Sequence, residues 1–408
     1  MESYKYFYFL NLVVGNIFLG LALYYGLYKI QFSNSKFLKK IFYEPSPKSQ
    51  TGAILLGGLP MTVMALVNVL MLIKFNDQLL HLNDQHLRLL KIWPFPVILV
   101  TLYGYLDDRI EIRPILKLFF QFGPICFFSY FAAQILTPHD TALGFVLLTA
   151  AGLGLANGSN LIDGLDTLAL KVATVTLLIF FTIGSILHVS SIMGLAVSFL
   201  PLPISFYFFN KWPAKIHMGE IGSCLLGLTF MLLSTFVFME SGPKIGGVNA
   251  FALSLIPMCV YELETFLSMS RRSYNRKSMF AGDKLHIHYL LRDKYNYSPS
   301  DASTVLASIV FLSCFFALAC FISSTAIVAF MVVTMMQSGI FVLIANKEWI
   351  QDGHMKLELK DLTEILKKKE VVVMDRSDFD QFEFKLVKKT NLSSKNKSKD
   401  ENTKKKAA

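Results

Sequence analysis

The chain has 408 residues, a formal charge of +10, 53% hydrophobic residues and a mean hydropathy of +0.49. Only 17% of its residues are charged, against about a quarter in a soluble domain, so lipid rather than an oversized water-excluded core is the expected solvent. The positive charge collects in short connectors and in the tail "KTNLSSKNKSKDENTKKKAA"; with no interleaved aromatics it reads as topology and membrane-surface charge, and no nucleic-acid partner is expected.

Windows of roughly 20 apolar residues predict an all-α polytopic membrane protein of about eleven transmembrane helices. They fall at 6–30, 52–73, 92–106, 115–136, 142–158, 168–188, 190–209, 221–239, 247–269, 303–322 and 324–345. The first run lacks a basic leader and is too long for a signal-peptide core, so it is read as a retained span. Cys126, Cys224, Cys259, Cys314 and Cys320 sit inside apolar runs without a Cys-x-x-Cys spacing and read as small hydrophobes. Beyond 346, "LELKDLTEILKKKEVVVMDRSDFDQFEFKLVKK" predicts a short helix and a strand, and the last twenty residues have a disordered composition. The domain reading is a membrane catalytic domain over 1–346, a cytoplasmic extension over 347–388 and a basic tail over 389–408.

Alternate connectors divide into two sets. "KFLKKIFYEPSPKSQ", "DDRIEIRP", "NGSNLIDGLDT", "NKWPAKIHMGE", the long "SRRSYNRKSMFAGDKLHIHYLLRDKYNYSPSD" and the tail are rich in Lys and Arg. "FNDQLLHLNDQHLRLLK", "TPHD" and "ESGPKIGG" belong to the poorer set. The excess of basic residues assigns the first set to the cytoplasm, with the N-terminus outside and the C-terminus inside. The connectors that carry Asp107, Asp108, Asn160, Asp163, Glu220, His286 and His288 then lie on one face.

Four connectors carry the chemistry. "GYLDDRIEIRPILK" holds the adjacent carboxylates Asp107 and Asp108, then Lys117. Neighbouring carboxylates repel unless a cation or proton serves them, although a pair capping the next helix is equally open. "NGSNLIDGLDTL" spaces Asn160, Asp163 and Asp166 by three, one face if helical, with capping as the plainer alternative. "HMGEIGS" sets Glu220 at a helix start, a position the dipole alone favours. "AGDKLHIHYLL" supplies Lys284, His286 and His288; His at i and i+2 suit an extended loop, and a solvated basic loop is the alternative. Hard oxygen donors with Lys and His, and no positioned Cys, suit Mg²⁺ or Mn²⁺ and phosphate rather than zinc. Phosphoryl transfer at a membrane surface is the economical reading.

In this order, from "TGAILLGGLP" (51–60) to "HIHYLL" (286–291), the motifs resemble the polyprenyl-phosphate N-acetylhexosamine-1-phosphate transferase family. "DKLHIHYLL" is similar to the Asp-Arg-x-His-Ile-His-His pattern of its antigen and teichoic-acid branch. The resemblance implies transfer of an N-acetylhexosamine-1-phosphate, GlcNAc-1-phosphate being the expected one, from its UDP-sugar to undecaprenyl phosphate. The products would be an undecaprenyl-diphospho-sugar and UMP, the first membrane step of O-antigen or another cell-envelope glycan. It places the enzyme in the bacterial inner membrane with a cytoplasmic active site, compatible with a homodimer. It implies Asp107, Asp108 and Asp163 as catalytic acids, with Asp166 near the uracil and Asn160 and Glu220 near Mg²⁺. Lys117 would face the diphosphate, and Lys284, His286 and His288 would bind substrate. Departures are Glu220 and Lys284 for the usual Asp and Arg, Thr167 for Gly, Tyr289 for the final His, and Lys48 as the remnant of an Arg-Lys-x-His motif. Two other classes stay open: a multipass transporter whose acids bind a coupling ion, and a non-catalytic relative that binds the lipid carrier.

Overall fold

The computed structural model describes residues 2–42, 53–110, 112–279 and 285–345. Lys48, Lys284 and everything assigned to the C-terminal extension and tail lie outside the described residues. The rest is helical, as the lack of water partners in lipid requires of a spanning backbone. In order the helices are α1 (Glu2–Ile30), α2 (Lys36–Phe42), α3 (Gly58–Lys74), α4 (Asn76–Leu79), α5 (Asp84–Ile92) and α6 (Pro94–Ile110). They continue with α7 (Pro114–Leu136), α8 (Thr141–Ile162), α9 (Leu168–Ile186), α10 (Ser190–Phe199), α11 (Pro201–Asn210) and α12 (Gly219–Ile245). After α13 (Gly247–Leu255) and a 3₁₀ turn come α14 (Cys259–Tyr274), α15 (Ile287–Asp293), α16 (Pro299–Ser323) and α17 (Ala326–Ala345).

Among the described residues ten helical segments are long and apolar enough to cross a membrane, and the 17-residue α3 is shorter. The expected eleven therefore become ten full-length candidates plus α3. Three candidates are interrupted, each beside a proline: α5–α6 at Pro94, α10–α11 at Pro201 and α13–α14 at Pro257. Proline lacks the N–H that would continue the ladder. Several expected boundaries move; the eighth span, for one, runs to Ile245 rather than 239. The third span begins at Asp84 rather than 92, and the fifth runs to Ile162 rather than 158. Asn157 and Asn160 therefore belong to the last turns of α8, not to a loop.

The central element is α12, buried continuously from Glu220 to Val237 and packed on α3, α6, α7 and α8. With lipid on all sides no hydrophobic force draws helices together, so close approach relies on small residues. A Cβ at Gly58 would meet the Gly222 nitrogen at 2.1 Å, and one at Gly227 would meet Ala156 Cα at 2.9 Å. Those contacts bring the N-terminal end of α12 against α3 and lay its middle on α8. Trp93 Nε1 adds a hydrogen bond across to the Leu228 carbonyl at 2.9 Å.

Candidate active site

The C-terminal ends of α6 and α8, the N-terminal ends of α7, α9 and α12 and the start of α15 meet at one end of the bundle. Next to them, residues 54–58 run alongside 215–218. Ile54 and Ile216 form an isolated parallel bridge, His217 N donates to Ile54 O at 2.8 Å, and Gly58 N to Met218 O at 2.8 Å. Gly219 follows at φ +73°, where a Cβ would stand 2.5 Å from Asp108 Oδ2. Glycine is needed there for both its left-handed backbone and its lack of a side chain. That turn aims the first amide of α12 at the acids, and Glu220 N donates to Asp108 Oδ1 at 3.0 Å.

The adjacent carboxylates avoid repulsion by diverging. Asp108 takes the helix N-terminus, where the dipole favours an anion. Asp107, fully buried, accepts from Ile112 N at 2.9 Å and from Lys117 Nζ at 2.6 Å. The pair does not cap the next helix as the capping reading expects: the N-cap of α7 is Arg113, without a side-chain cap, and Asp108 accepts instead from α12. Lys117 also lies 3.4 Å from Glu220 Oε2, to which Asn160 Nδ2 donates at 3.1 Å. Gln121 Nε2 donates to the other Glu220 oxygen at 2.9 Å. Asp107, Asp108, Lys117, Asn160 and Glu220 are therefore one connected cluster.

Asp163 is the C-cap of α8 and lies beyond the helix proper, so the expectation that Asn160, Asp163 and Asp166 share a helical face holds only for Asn160. Burial, then Asp108, Asp166 and Glu220, hold the Asp163 carboxyl well above the usual carboxylate range. Asp166 faces another segment: its Oδ2 accepts from Ala214 N at 2.9 Å, and its Oδ1 is 3.8 Å from His217 Nδ1. Burial pushes the His217 imidazole down, and Asp166 opposes that shift. Thr167, at φ +65°, donates its amide to Asn210 Oδ1 at 2.7 Å. A β-branched residue at positive φ is strained, which gives the expected glycine at this position a backbone reason.

The histidine segment is ordered by α14. His286 has extended backbone as the N-cap of α15, and its Nδ1 shares a 2.6 Å hydrogen bond with Glu264 Oε1. The extended reading holds for His286 alone, since His288 lies in the first turn of the helix. Their rings are parallel with centroids 5.6 Å apart. His288 is buried against Gly164, where a Cβ would come 2.1 Å from its Nε2. The histidine segment thus touches the turn that carries Asp163 and Asp166. Burial, then His286 and Arg292, push the His288 imidazole well below its ordinary value.

Gln121, Glu264, His217 and Asn210 were not singled out in the sequence. Glu264 alone carried a signal, as an acid inside an apolar window. Among the described residues no preformed group of three His, Cys, Asp or Glu side chains stands in metal-ligating geometry. The donor set of carboxylate and amide oxygens nevertheless fits Mg²⁺, which commonly binds through one or two carboxylates and completes its shell with substrate phosphates and water. Between α7, α8, α12 and α13 lies an apolar cavity of about 370 Å³, lined by Leu143, Leu147, Leu155, Met231 and Phe251 among others.

Comparisons with known proteins match the segment of the chain that carries this arrangement. The profile of glycosyl transferase family 4 matches residues 91–238, the segment holding α6 to α12 and the connected cluster. A probable undecaprenyl-phosphate N-acetylglucosaminyl 1-phosphate transferase of Bacillus subtilis is 28% identical over 209 residues, 47% of this chain and 55% of that protein. A phospho-N-acetylmuramoyl-pentapeptide-transferase of Streptococcus pneumoniae is 26% identical over 264 residues, 60% and 76% of the two chains. A decaprenyl-phosphate N-acetylglucosaminephosphotransferase of Mycobacterium tuberculosis is 29% identical over 174 residues, 37% and 41%. The chain thus spans about half the length of the first and the third. The matched segment coincides with the helices that build the acidic cluster, and over residues 91–238 the chain is similar to glycosyl transferase family 4.

Proposed function

We propose that this protein transfers an N-acetylhexosamine-1-phosphate from a UDP-sugar to a polyprenyl phosphate at the cytoplasmic face of a bacterial inner membrane. The supporting observation is the single cluster that Asp107, Asp108, Lys117, Asn160 and Glu220 form at adjoining helix ends. Transporter sites sit mid-bilayer on broken helices, whereas these residues lie at helix ends, and this favours the enzyme.

In the proposed reaction a phosphate oxygen of the lipid attacks the sugar-bearing phosphorus of the UDP-sugar. The bond from that phosphorus to the bridging oxygen breaks, and UMP leaves with the bonding pair. Asp107 or Asp108 accepts any proton that the lipid phosphate carries. Lys117 turns from the acids to the diphosphate and offsets charge building on the bridging oxygen. The Asp166–His217 edge and the His288 segment hold the nucleotide end, and the Glu264–His286 hydrogen bond fixes the start of α15. Asn160 and Glu220 would hold a Mg²⁺ or Mn²⁺, which when bound supplies further neutralisation of phosphate charge. GlcNAc-1-phosphate is the favoured group, in keeping with the names of the Bacillus subtilis and Mycobacterium tuberculosis relatives.

The test is to incubate membranes containing the protein with radiolabelled UDP-N-acetylglucosamine, undecaprenyl phosphate and Mg²⁺. Label should enter the organic phase with equimolar UMP, and both should vanish in Asp107→Asn and Asp163→Asn. No transfer from any UDP-hexosamine would overturn the proposal.

A further inference from the structure

The glutamate at position 220 is one methylene longer than the aspartate its motif leads one to expect, and the residues around it are arranged for that length. Glu220 is buried in the first turn of α12. Its two oxygens face different helices. Oε2 points to Asn160 Nδ2 of α8 at 3.1 Å and Lys117 Nζ of α7 at 3.4 Å. Oε1 accepts from Gln121 Nε2 at 2.9 Å and lies 3.7 Å from Cys224 Sγ, one turn along α12. An aspartate would end about 1.5 Å short, the length of one carbon–carbon bond, and would have to give up one of the two sides.

The chemistry of the second side is as telling as its geometry. Gln121 is 1% exposed, and its own Oε1 is buried without a hydrogen-bond partner. The Tyr103 hydroxyl, one helical turn before Asp107, is likewise buried without a partner. An amide donor in such a recess fixes a carboxylate oxygen without cancelling its charge, whereas a second lysine would neutralise it. The negative charge therefore remains available on the side of Lys117, Asn160 and the phosphates.

We propose that Gln121, with Cys224 beside it, is a positioning residue that makes glutamate the working acid at 220: it anchors Oε1 and leaves Oε2 as the oxygen facing substrate and cation. This rests on the transferase reading above. Residues that orient a ligating carboxylate commonly change metal affinity about ten- to a hundred-fold when lost.

The experiment is a double-mutant cycle on the full chain in nanodiscs, with wild type, Q121M, E220D and E220D/Q121M. Two quantities are read: Mn²⁺ binding by electron paramagnetic resonance in the presence of UDP, and the Mg²⁺ concentration for half-maximal transfer. Q121M should weaken both by about ten-fold or more, and E220D at least as much. Q121M should add less than about two-fold in the E220D background, because its action runs through the longer side chain. Q121E, which keeps the shape of the amide and so guards against misfolding of Q121M, should show the same loss. The proposal is overturned if Q121M or E220D matches wild type, if the two losses multiply in full, or if wild type binds no Mn²⁺. Absent transfer with intact Mn²⁺ binding and intact coupling would sink the transferase reading alone.

Discussion

The Lys117 ammonium stands 2.6 Å from Oδ2 of Asp107, on the helix that follows it. The same ammonium reaches Glu220 at 3.4 Å, so one cation serves acids from two helices that are far apart in sequence. Lys117→Met should lower kcat by about 10²–10³, the usual loss when one charge-stabilising donor is removed. Lys117→Arg should recover only part of it, because a planar guanidinium does not replace a compact ammonium. The check is steady-state UMP release. A kcat for Lys117→Met within threefold of wild type would refute the role.

Asp163 should make the ion-free protein less stable as pH rises. Its folded pKa lies above the ordinary value of about 3.9, raised by burial and by Asp108, Asp166 and Glu220. The folded state therefore holds a proton that the unfolded state has released, so stability present below the ordinary value is lost as pH climbs through the folded pKa. Asp163→Asn has no proton to lose. In chelator its thermal midpoint should exceed that of wild type at pH 8, and the gap should close as pH falls toward 4. A gap that widens toward acid would contradict the assignment.

His288 should act in the opposite direction. Its folded pKa is depressed by burial, His286 and Arg292, so the stability it contributes is present above the ordinary value of about 6.5 and lost as pH falls toward the folded pKa. The protection factors of residues 286–293, corrected for the intrinsic pH dependence of exchange, should therefore fall below about pH 6 and stay constant between pH 7 and 8. Constant protection factors across both ranges would count against it.

The Glu264–His286 contact should matter for substrate binding more than for chemistry. Hydrogen bonds to charged groups contribute about 1.5–3 kcal/mol, and this one, at 2.6 Å, fixes the start of α15. Glu264→Gln should raise KM for the UDP-sugar by about ten-fold with kcat changed by less than threefold. Equal losses in kcat and kcat/KM would instead place His286 in the transition state.

Gly164→Ala tests the packing of the histidine segment on the acidic turn. The new Cβ would lie 2.1 Å from His288 Nε2, and since the ring is buried the segment has to move. Overpacking of this kind costs about 1–3 kcal/mol. The variant should keep its helical circular dichroism while losing at least ten-fold in kcat/KM. Near-normal activity would show that His288 need not sit there.

The local rules carried far. Lipid forces any spanning backbone to satisfy itself, so runs such as 168–188 and 221–239 announce helices through hydropathy alone, and α9 and α12 occupy them. Asp107, Asp108, Asn160, Asp163 and Glu220 stand out because charged and amide groups are costly beside apolar runs. Boundaries are less legible: Asn157 and Asn160 read as loop residues, yet α8 continues through them, with Gly158 so close to the Tyr261 backbone that a Cβ would meet its carbonyl at 2.3 Å.

Sequence by itself determined that the chain is a polytopic helical protein, and which acids, lysine and histidines were worth following, because hydropathy, residue chemistry and spacing are properties of neighbours along the chain. Only the tertiary structure decided that Gln121 holds Glu220 across 99 residues, that Glu264 holds His286, and that Asp166 faces His217. Those pairings follow from how α7 and α8 pack on α12 and how α14 leads into α15. Helix–helix packing in lipid is set by small residues and buried polar contacts between distant segments, and no local window contains both partners.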